Sequence, residues 1–392
     1  MKPIRQLPAA GRGFSLIELM IAMGIAMTLM MAMASIFTTS INTRETIDRE
    51  GQKIETARYS LDTLAEDIRL AGYYGNYAPP FTGSMPADWK YVDPCSTTGG
   101  NPLPGWNATT GPVQVPFAIF GYEAHNTGSL PTGLTGCLDH YKANTDVFVV
   151  RRASTLSVTA GGAGYVPGEA YFQGSSCPDG TVDTQPFNAL STTTSTDFNL
   201  HVLGCTSTVP GTNASLRKLI TRIYYISQCD DCVNDLDRDA ATTGDGIPTL
   251  KMVELAIPSS GGTTLRVLQN LRTIAPGVED MHLEYGIDTT DDGSVDAWVV
   301  SNNDPRQTGA TGTAVTGMRL DASTENRWED VMAVKLFLLT RDLKTTSRWV
   351  DTKSYTMGSK TVYPTGALDA FRRRMTSSTI KLVNMSGRRE VP

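Results

Sequence analysis

The sequence predicts an α+β fold: a long N-terminal helix, its first half able to span a membrane, packed on an antiparallel β-sheet head with a large loop-rich, disulfide-bearing insertion. Three observations predict it. No side chain from Leu19 to Phe37 is charged, apolar residues recur every seven positions from Ile47 onward, and β-branched or aromatic segments crowd the chain beyond residue 215.

The uncharged run reaches roughly 28 Å as a helix at about 1.5 Å per residue, close to the hydrocarbon thickness of a bilayer. Residues 1–13 hold Lys2, Arg5 and Arg12 and no acid, so the positive-inside bias keeps this end cytoplasmic and sends the remainder across. Glu18 stands at the entrance of the run. An ionised group is costly there and marks a function or a partner, so a cation is expected to meet it. The rival reading, a secretory signal cut after Ala32-Met33-Ala34, has against it the length of the run and the acid within it.

After Phe37 the chain turns polar, but no proline appears until Pro79, and Ile47, Ile54, Leu61 and Ile68 with Ala57, Leu64 and Ala71 form one stripe. One helix is expected from Phe14 to about Ala71, on the order of 85 Å long. Gly24 and Gly51 are its candidate bends, Gly72 suits a C-cap, and Pro79-Pro80 forbids continuation.

Gly13-Phe14-Ser15-Leu16-Ile17-Glu18-Leu19 resembles the type IV prepilin signature. The resemblance implies that a prepilin peptidase cuts between Gly13 and Phe14, that Phe14 is then N-methylated, and that Glu18 pairs with the N-terminal ammonium of a neighbouring subunit. Further segments resemble the PilW family of minor pilins: Asp67-Ile68-Arg69-Leu70-Ala71-Gly72-Tyr73, Tyr224-Tyr225-Ile226, Gly246-Ile247-Pro248-Thr249-Leu250, Gly277-Val278-Glu279-Asp280, Glu284-Tyr285-Gly286-Ile287-Asp288, Trp328-Glu329-Asp330-Val331, Leu338-Leu339-Thr340-Arg341, Arg373-Arg374 and Thr379-Ile380-Lys381-Leu382-Val383-Asn384. The fold thus implied is pilin-like. The function implied is a minor pilin that helps initiate assembly of a type IV pilus and enters the filament near its tip. Its partners would be the peptidase, the other minor pilins and the major pilin, the inner-membrane assembly platform and membrane lipid. It would sit first in the inner membrane as a single-pass protein with a periplasmic head, then in a surface pilus. A J-type pseudopilin of type II secretion is the alternative within this architecture, and a tip adhesin is an alternative of another class.

Five segments follow: a leader at 1–13, a membrane or filament-core helix at 14–37, its amphipathic continuation at 38–75, the loop-rich insertion at 76–215 and the sheet head at 216–392. A formal net charge of −6 becomes −9 once the three leader cations are removed. So acidic a chain is a poor nonspecific nucleic-acid binder, which needs basic surface, and no nucleic-acid partner is expected.

The insertion is rich in Gly, Pro, Ser and Thr and offers strand-like runs at 113–120, 146–153 and 198–203. Residues 229–245 read as an excursion within a hairpin. Later strands are expected at 216–227, 250–257, 265–271, 278–287, 297–300 and 331–340. Six cysteines form an even set in an oxidising compartment, where disulfides are the default. Cys229 with Cys232 is suggested by proximity, and Cys95 with Cys137 and Cys177 with Cys205 by order alone. A redox centre at Cys229-Asp230-Asp231-Cys232 is disfavoured because the two aspartates would raise the thiol pKa.

Asp288, Thr290, Asp292, Ser294 and Asp296 have the spacing of calcium-loop ligands, with Gly293 at the turn. Val299 stands where a bidentate glutamate is usual, and Asp292-Gly293 is also a hairpin signal, so calcium and a bare turn compete. Asp235, Asp237 and Asp239 form a second acidic ladder, with Ala240 in place of the glycine. No cofactor is required by the sequence. His125, His140, His201 and His282 are scattered, without a metalloprotease pair, a Gly-x-Ser-x-Gly or a phosphate loop, so a non-enzyme is expected.

Overall fold

The computed structural model describes Gly13 and residues 15–77, 94–95, 117–123, 134, 138, 140–191, 194–209, 211–232, 244–255, 270–288, 290, 292–301, 327–346 and 349–386. The chain forms two compact units, Met1–Ile54 and Glu55–Pro392.

Helix α1 (Leu16–Leu70) runs through the boundary between them as one α-helix, with Gly24 and Gly51 inside it. In the first unit its apolar side chains face outward, and an 18-residue window has mean hydropathy 2.1 with none of it buried. The few polar side chains between Leu19 and Thr39 turn back on the helix. Thr28, Ser35, Thr38 and Thr39 donate to carbonyls three or four residues earlier, which satisfies their hydroxyls without water.

In the second unit the strands are β1 (Ile119–Tyr122), β2 (Val147–Ala153), β3 (Ala170–Gly174), β4 (Phe187–Ser191), β5 (Arg217–Ser227), β6 (Thr249–Glu254), β7 (Asn270–Pro276), β8 (Val278–Ile287), β9 (Ala297–Val299), β10 (Val331–Arg341), β11 (Tyr355–Met357), β12 (Lys360–Val362) and β13 (Arg373–Lys381). Every named strand pairing is antiparallel. A seven-stranded sheet has the order β1-β2-β5-β3-β4, with β6 on β5 and β7 on β6. The long β5 makes this possible, pairing with β3 at Arg217 and Lys218 and with β6 from Arg222 to Ser227. A four-stranded sheet has the order β13-β10-β8-β9, and β11 with β12 forms a separate hairpin.

One core joins both sheets to the last turns of α1. Leu64, Ile68 and Ala71 lie with Phe120, Phe148, Tyr224, Met281, Leu283, Val334 and Leu336 in a single buried cluster. Fully burying a side chain such as Leu64 contributes about 1.5–3 kcal/mol. The heptad stripe therefore divides: Ala57, Leu64 and Ile68 are buried, whereas Ile47 stays 64% exposed and Ile54 46%.

Several strands differ from those expected, the β11–β12 hairpin among them. The region 76–215 supplies β1 to β4, which share a sheet with β5, so strand pairing crosses residue 215. Residues 198–203 are not a strand. Phe198 drops into a small core with Tyr171 and Leu216, and the side chain of Gln173 takes both main-chain groups of Leu200, leaving only a bridge from His201 to Asn213. The strand expected at 265–271 is seen as β7, from Asn270 to Pro276, and residues 256–269 lie outside the described set. The half-exposed β13, from Arg373 to Lys381, pairs with β10 along its length and was not expected. Pro79-Pro80 and the ladder Asp235, Asp237 and Asp239 also lie outside the described residues.

Cys177 is bonded to Cys205 and Cys229 to Cys232. Cys95 is disulfide-bonded, and Cys137 lies outside the described residues. β5 and β6 pair as a hairpin, and residues 233–243 of the expected excursion lie outside the described residues.

Candidate functional site

The N-terminal site is built on the start of α1. Gly13 is exposed, and Phe14 lies outside the described residues. Glu18 accepts the amide N–H of Ser15 at 3.0 Å, while the Ser15 hydroxyl lies 3.4 Å from the amide nitrogen of Ile17. This is the reciprocal logic of a capping box, in which the N-cap hydroxyl and the third helical carboxylate cover the unsatisfied amides. The spacing Ser15-x-x-Glu18 carried that signal. The acid thus closes its own helix end, where the helix dipole favours negative charge, and keeps further acceptor capacity for a cation.

At the other end of α1 the sequence Asp67 to Tyr73 becomes a joint. Asp67 is 3% exposed and accepts from Arg152 on β2 and from Arg222 and Tyr224 on β5, with Arg222 also paired to Glu254 on β6. Burial opposes the Arg222 cation, but Asp67 and Glu254 outweigh it, so its pKa is raised. Burial, then Asp67, pushes the Tyr224 hydroxyl well above the ordinary phenol range. Gly72 has φ +72° and donates to the Arg151 carbonyl, and Tyr73 accepts from Ala153, so the chain leaves the helix alongside β2. Asn384, in helix α2 (Val383–Ser386), donates to the carbonyls of Arg69 and Ala71 and caps the helix from outside.

The segments singled out near residues 279, 341 and 373 also converge. Arg373 forms a fork with Glu279 and reaches Asp351 at 3.3 Å, while Arg341 lies 3.7 Å from Glu279 and donates to the Gly246 carbonyl at 2.7 Å. Lys360 pairs with Asp280 at 2.7 Å. Buried pairs of this kind bring little net stability over apolar packing, but losing one partner is costly, and they fix a unique arrangement of strands.

Ser359, His282 and Asp146 stand in a proton-relay order, at 3.0 Å from Ser359 Oγ to His282 Nε2 and 2.8 Å from His282 Nδ1 to Asp146. The Ser359 amide, however, donates to the Glu284 carboxylate at 2.9 Å. A carboxylate at that amide opposes a developing oxyanion, so the arrangement suits a clamp on three chain segments better than acyl transfer. Burial opposes a charge on His282, but Asp146 outweighs it and the imidazole pKa is raised.

In the acidic loop, Asp288 is buried and accepts amide N–H groups from Thr290, Asp292 and Gly293, while Asp296 accepts from Thr290 and Asp292 from Ser294. The donor set suits calcium, but these carboxylates are turned onto the backbone as in a hydrogen-bonded turn. His140, Cys229 and Cys232 bring one ring nitrogen and two sulfurs within 4.8 Å of one another. The two sulfurs are bonded to each other and the ammonium of Lys251 lies 3.6 Å from Cys232, so this cluster as it stands does not suit a cation.

Comparison with known proteins adds three findings. Residues 223–384 match the family Type IV Pilus-assembly protein W, and residues 10–34 match the prokaryotic N-terminal methylation motif. Among solved structures, a type IV-like pilin from Thermus thermophilus aligns at 16% identity over 42% of this chain and 79% of its own, with a TM-score of 0.18. No curated protein matches the chain significantly.

Proposed function

We propose that the chain is a type IV pilus minor pilin of the PilW family, that it helps initiate pilus assembly and that it enters the filament near the tip; the matches of residues 223–384 and 10–34 support this reading. The observation that carries this reading is the pairing of an exposed apolar helix with an acid at its head. Such a surface has no stable home in water. It suits first a bilayer and then a bundle of like helices, where Glu18 would set axial register by meeting the terminal ammonium of a neighbour. The peptidase would expose that ammonium by cutting at Gly13, with methylation at Phe14.

In this reading the protein spans the inner membrane once, with its head in the periplasm, before joining the other minor pilins and the major pilin on the assembly platform. A strain lacking the gene tests it. Surface filaments are expected to be lost and to return with the wild-type gene. Intact filaments with failed secretion of folded exoproteins would reassign the chain to type II secretion, and intact filaments with normal secretion would overturn the role.

Calcium in the 288–296 loop is a secondary proposal. The ion would have to draw Asp288 away from three amide groups, so a small gain is expected. A melting midpoint of the full-length protein unchanged by chelator would assign the loop to the bare turn.

A further inference from the structure

The bridge between Cys229 and Cys232 differs chemically from the one between Cys177 and Cys205. Cys229 is wholly buried, and Cys232 is the sulfur that retains some exposure, at 8%. The buried ammonium of Lys251 lies 3.6 Å from Cys232 Sγ, and a ring nitrogen of His140 lies within 4.8 Å of both sulfurs. The imidazole is set there deliberately. Gln228 donates its amide N–H to the His140 carbonyl at 2.8 Å and its side chain to the Tyr141 carbonyl at 2.9 Å. His140 itself holds φ +49°, an uncommon conformation for a residue with a side chain, and its buried Nε2 has no hydrogen-bond partner among the described residues.

The Cys229-Asp230-Asp231-Cys232 turn also carries two aspartates. Their amides are tied to the Asp245 carboxylate at 3.0 and 3.3 Å, and Asp231 is exposed. Against the expectation that they oppose thiol reactivity stands the Lys251 ammonium, 3.6 Å from Cys232 Sγ. A thiolate formed at Cys232 would be held by Lys251, and a disulfide whose reduced form is stabilised is the more easily reduced one. The Cys177–Cys205 bridge spans 28 residues against 3 and so restrains the unfolded chain more, which further separates the two.

We propose that Cys229–Cys232 is an exchangeable dithiol–disulfide centre, with Cys232 the sulfur that exchanges and Lys251 and His140 its positioning residues. The co-reactant is a dithiol, small or carried by a protein. One of its thiolates attacks Cys232 Sγ, and the electron pair of the S–S bond leaves on Cys229, which takes a proton. The second thiolate of the co-reactant then attacks its own sulfur in the mixed disulfide and releases Cys232 as a thiolate beside Lys251. The protein gains two electrons, and the dithiol becomes a disulfide.

The test uses full-length protein in detergent, equilibrated anaerobically with mixtures of reduced and oxidised dithiothreitol, quenched in acid, alkylated and mapped by peptide mass. Cys229–Cys232 is expected to be half reduced at a dithiol-to-disulfide ratio at least about tenfold lower than Cys177–Cys205 requires, and Lys251→Met should raise that ratio about tenfold while leaving Cys177–Cys205 unchanged. Equal midpoints for the two bridges, or a midpoint indifferent to Lys251→Met in folded protein, would overturn the proposal. If Lys251→Met does not fold, the pH dependence of Cys232 alkylation in the reduced wild-type protein decides. A half-point at least about one unit below the ordinary thiol value of about 8.5 supports the centre, and one at or above that value rejects it.

Discussion

Helix α1 carries two apolar surfaces of opposite fate, one all round its first half and one a stripe near its end. Around residues 16–37 the side chains face outward, and the one acid, Glu18, closes the helix end on Ser15. Around residues 57–71, Ala57, Leu64, Ile68 and Ala71 are buried, and a buried acid, Asp67, is held by two arginines and a tyrosine. The difference is one of address. The second stretch is satisfied within its own chain and specifies the head, whereas the first is satisfied only by lipid or by other helices and so specifies assembly. Stability and function can then be broken separately.

The sharpest break is at Glu18. Glu18→Ala is expected to abolish or severely reduce surface filaments while processing at Gly13 continues and the melting midpoint of the head stays within error of wild type. Immunoblot, filament shearing and thermal melting of the detergent-solubilised protein read the three together. Normal filament yield in this variant would remove the register role. Asp67→Ala should do the reverse, destabilising the head by about 3–5 kcal/mol because Arg152 and Arg222 lose a buried counter-charge, with membrane insertion and cleavage unchanged. Denaturant unfolding of the purified protein measures it, and a loss below about 1 kcal/mol would mean that the joint does not depend on the acid.

A smaller effect is expected just beyond it. A side chain at Gly72 would take up φ +72° and place Cβ 3.0 Å from Met385 Sδ and 3.1 Å from Ala118 Cβ. Gly72→Ala should therefore cost about 1–3 kcal/mol from the backbone conformation and the close contact. The same denaturant series reads it, and a neutral result would show that Met385 yields freely.

The same contrast governs what the sequence disclosed. The outward stretch was legible because its logic is local: an unbroken apolar run, a basic leader and one acid need no partner from elsewhere in the chain. The long strands β5, β8 and β10 were legible for the same reason. The joint was not. Asp67 meets Arg152 across 85 residues and Arg222 across 155, and neither distance leaves a mark in the local pattern. Arg152 lies in β2, which the run at 146–153 anticipates, but the Gly- and Pro-rich composition around it hides β3 and β4. The edge strand β13, Arg-Arg-Met-Thr-Ser-Ser-Thr-Ile-Lys, reads as a polar loop because one of its sides stays in solvent. The segments around Glu279, Arg341 and Arg373 stood out in the sequence by resemblance alone, while their convergence became visible only with the strands in register.

The least effect, and the finest test of how the head is tied together, comes from His282. Burial disfavours its charge, but the Coulombic pull and hydrogen bond of Asp146 outweigh burial, Lys360 opposes them weakly and Glu123 adds to them, so the folded pKa is raised above the ordinary histidine value. A raised value means that the folded head binds the proton more tightly than the unfolded chain. The contribution is complete below about pH 6.5, the unfolded value, and is lost as pH rises through the folded one. The melting midpoint should fall across that window, and the fall should be smaller in His282→Gln, whatever the variant's absolute stability. Because the imidazole joins β8 to the loop before β2 and to the β11–β12 turn, an unchanged pH slope in the variant would place the titrating group elsewhere and leave the clamp to Asp146 and Ser359.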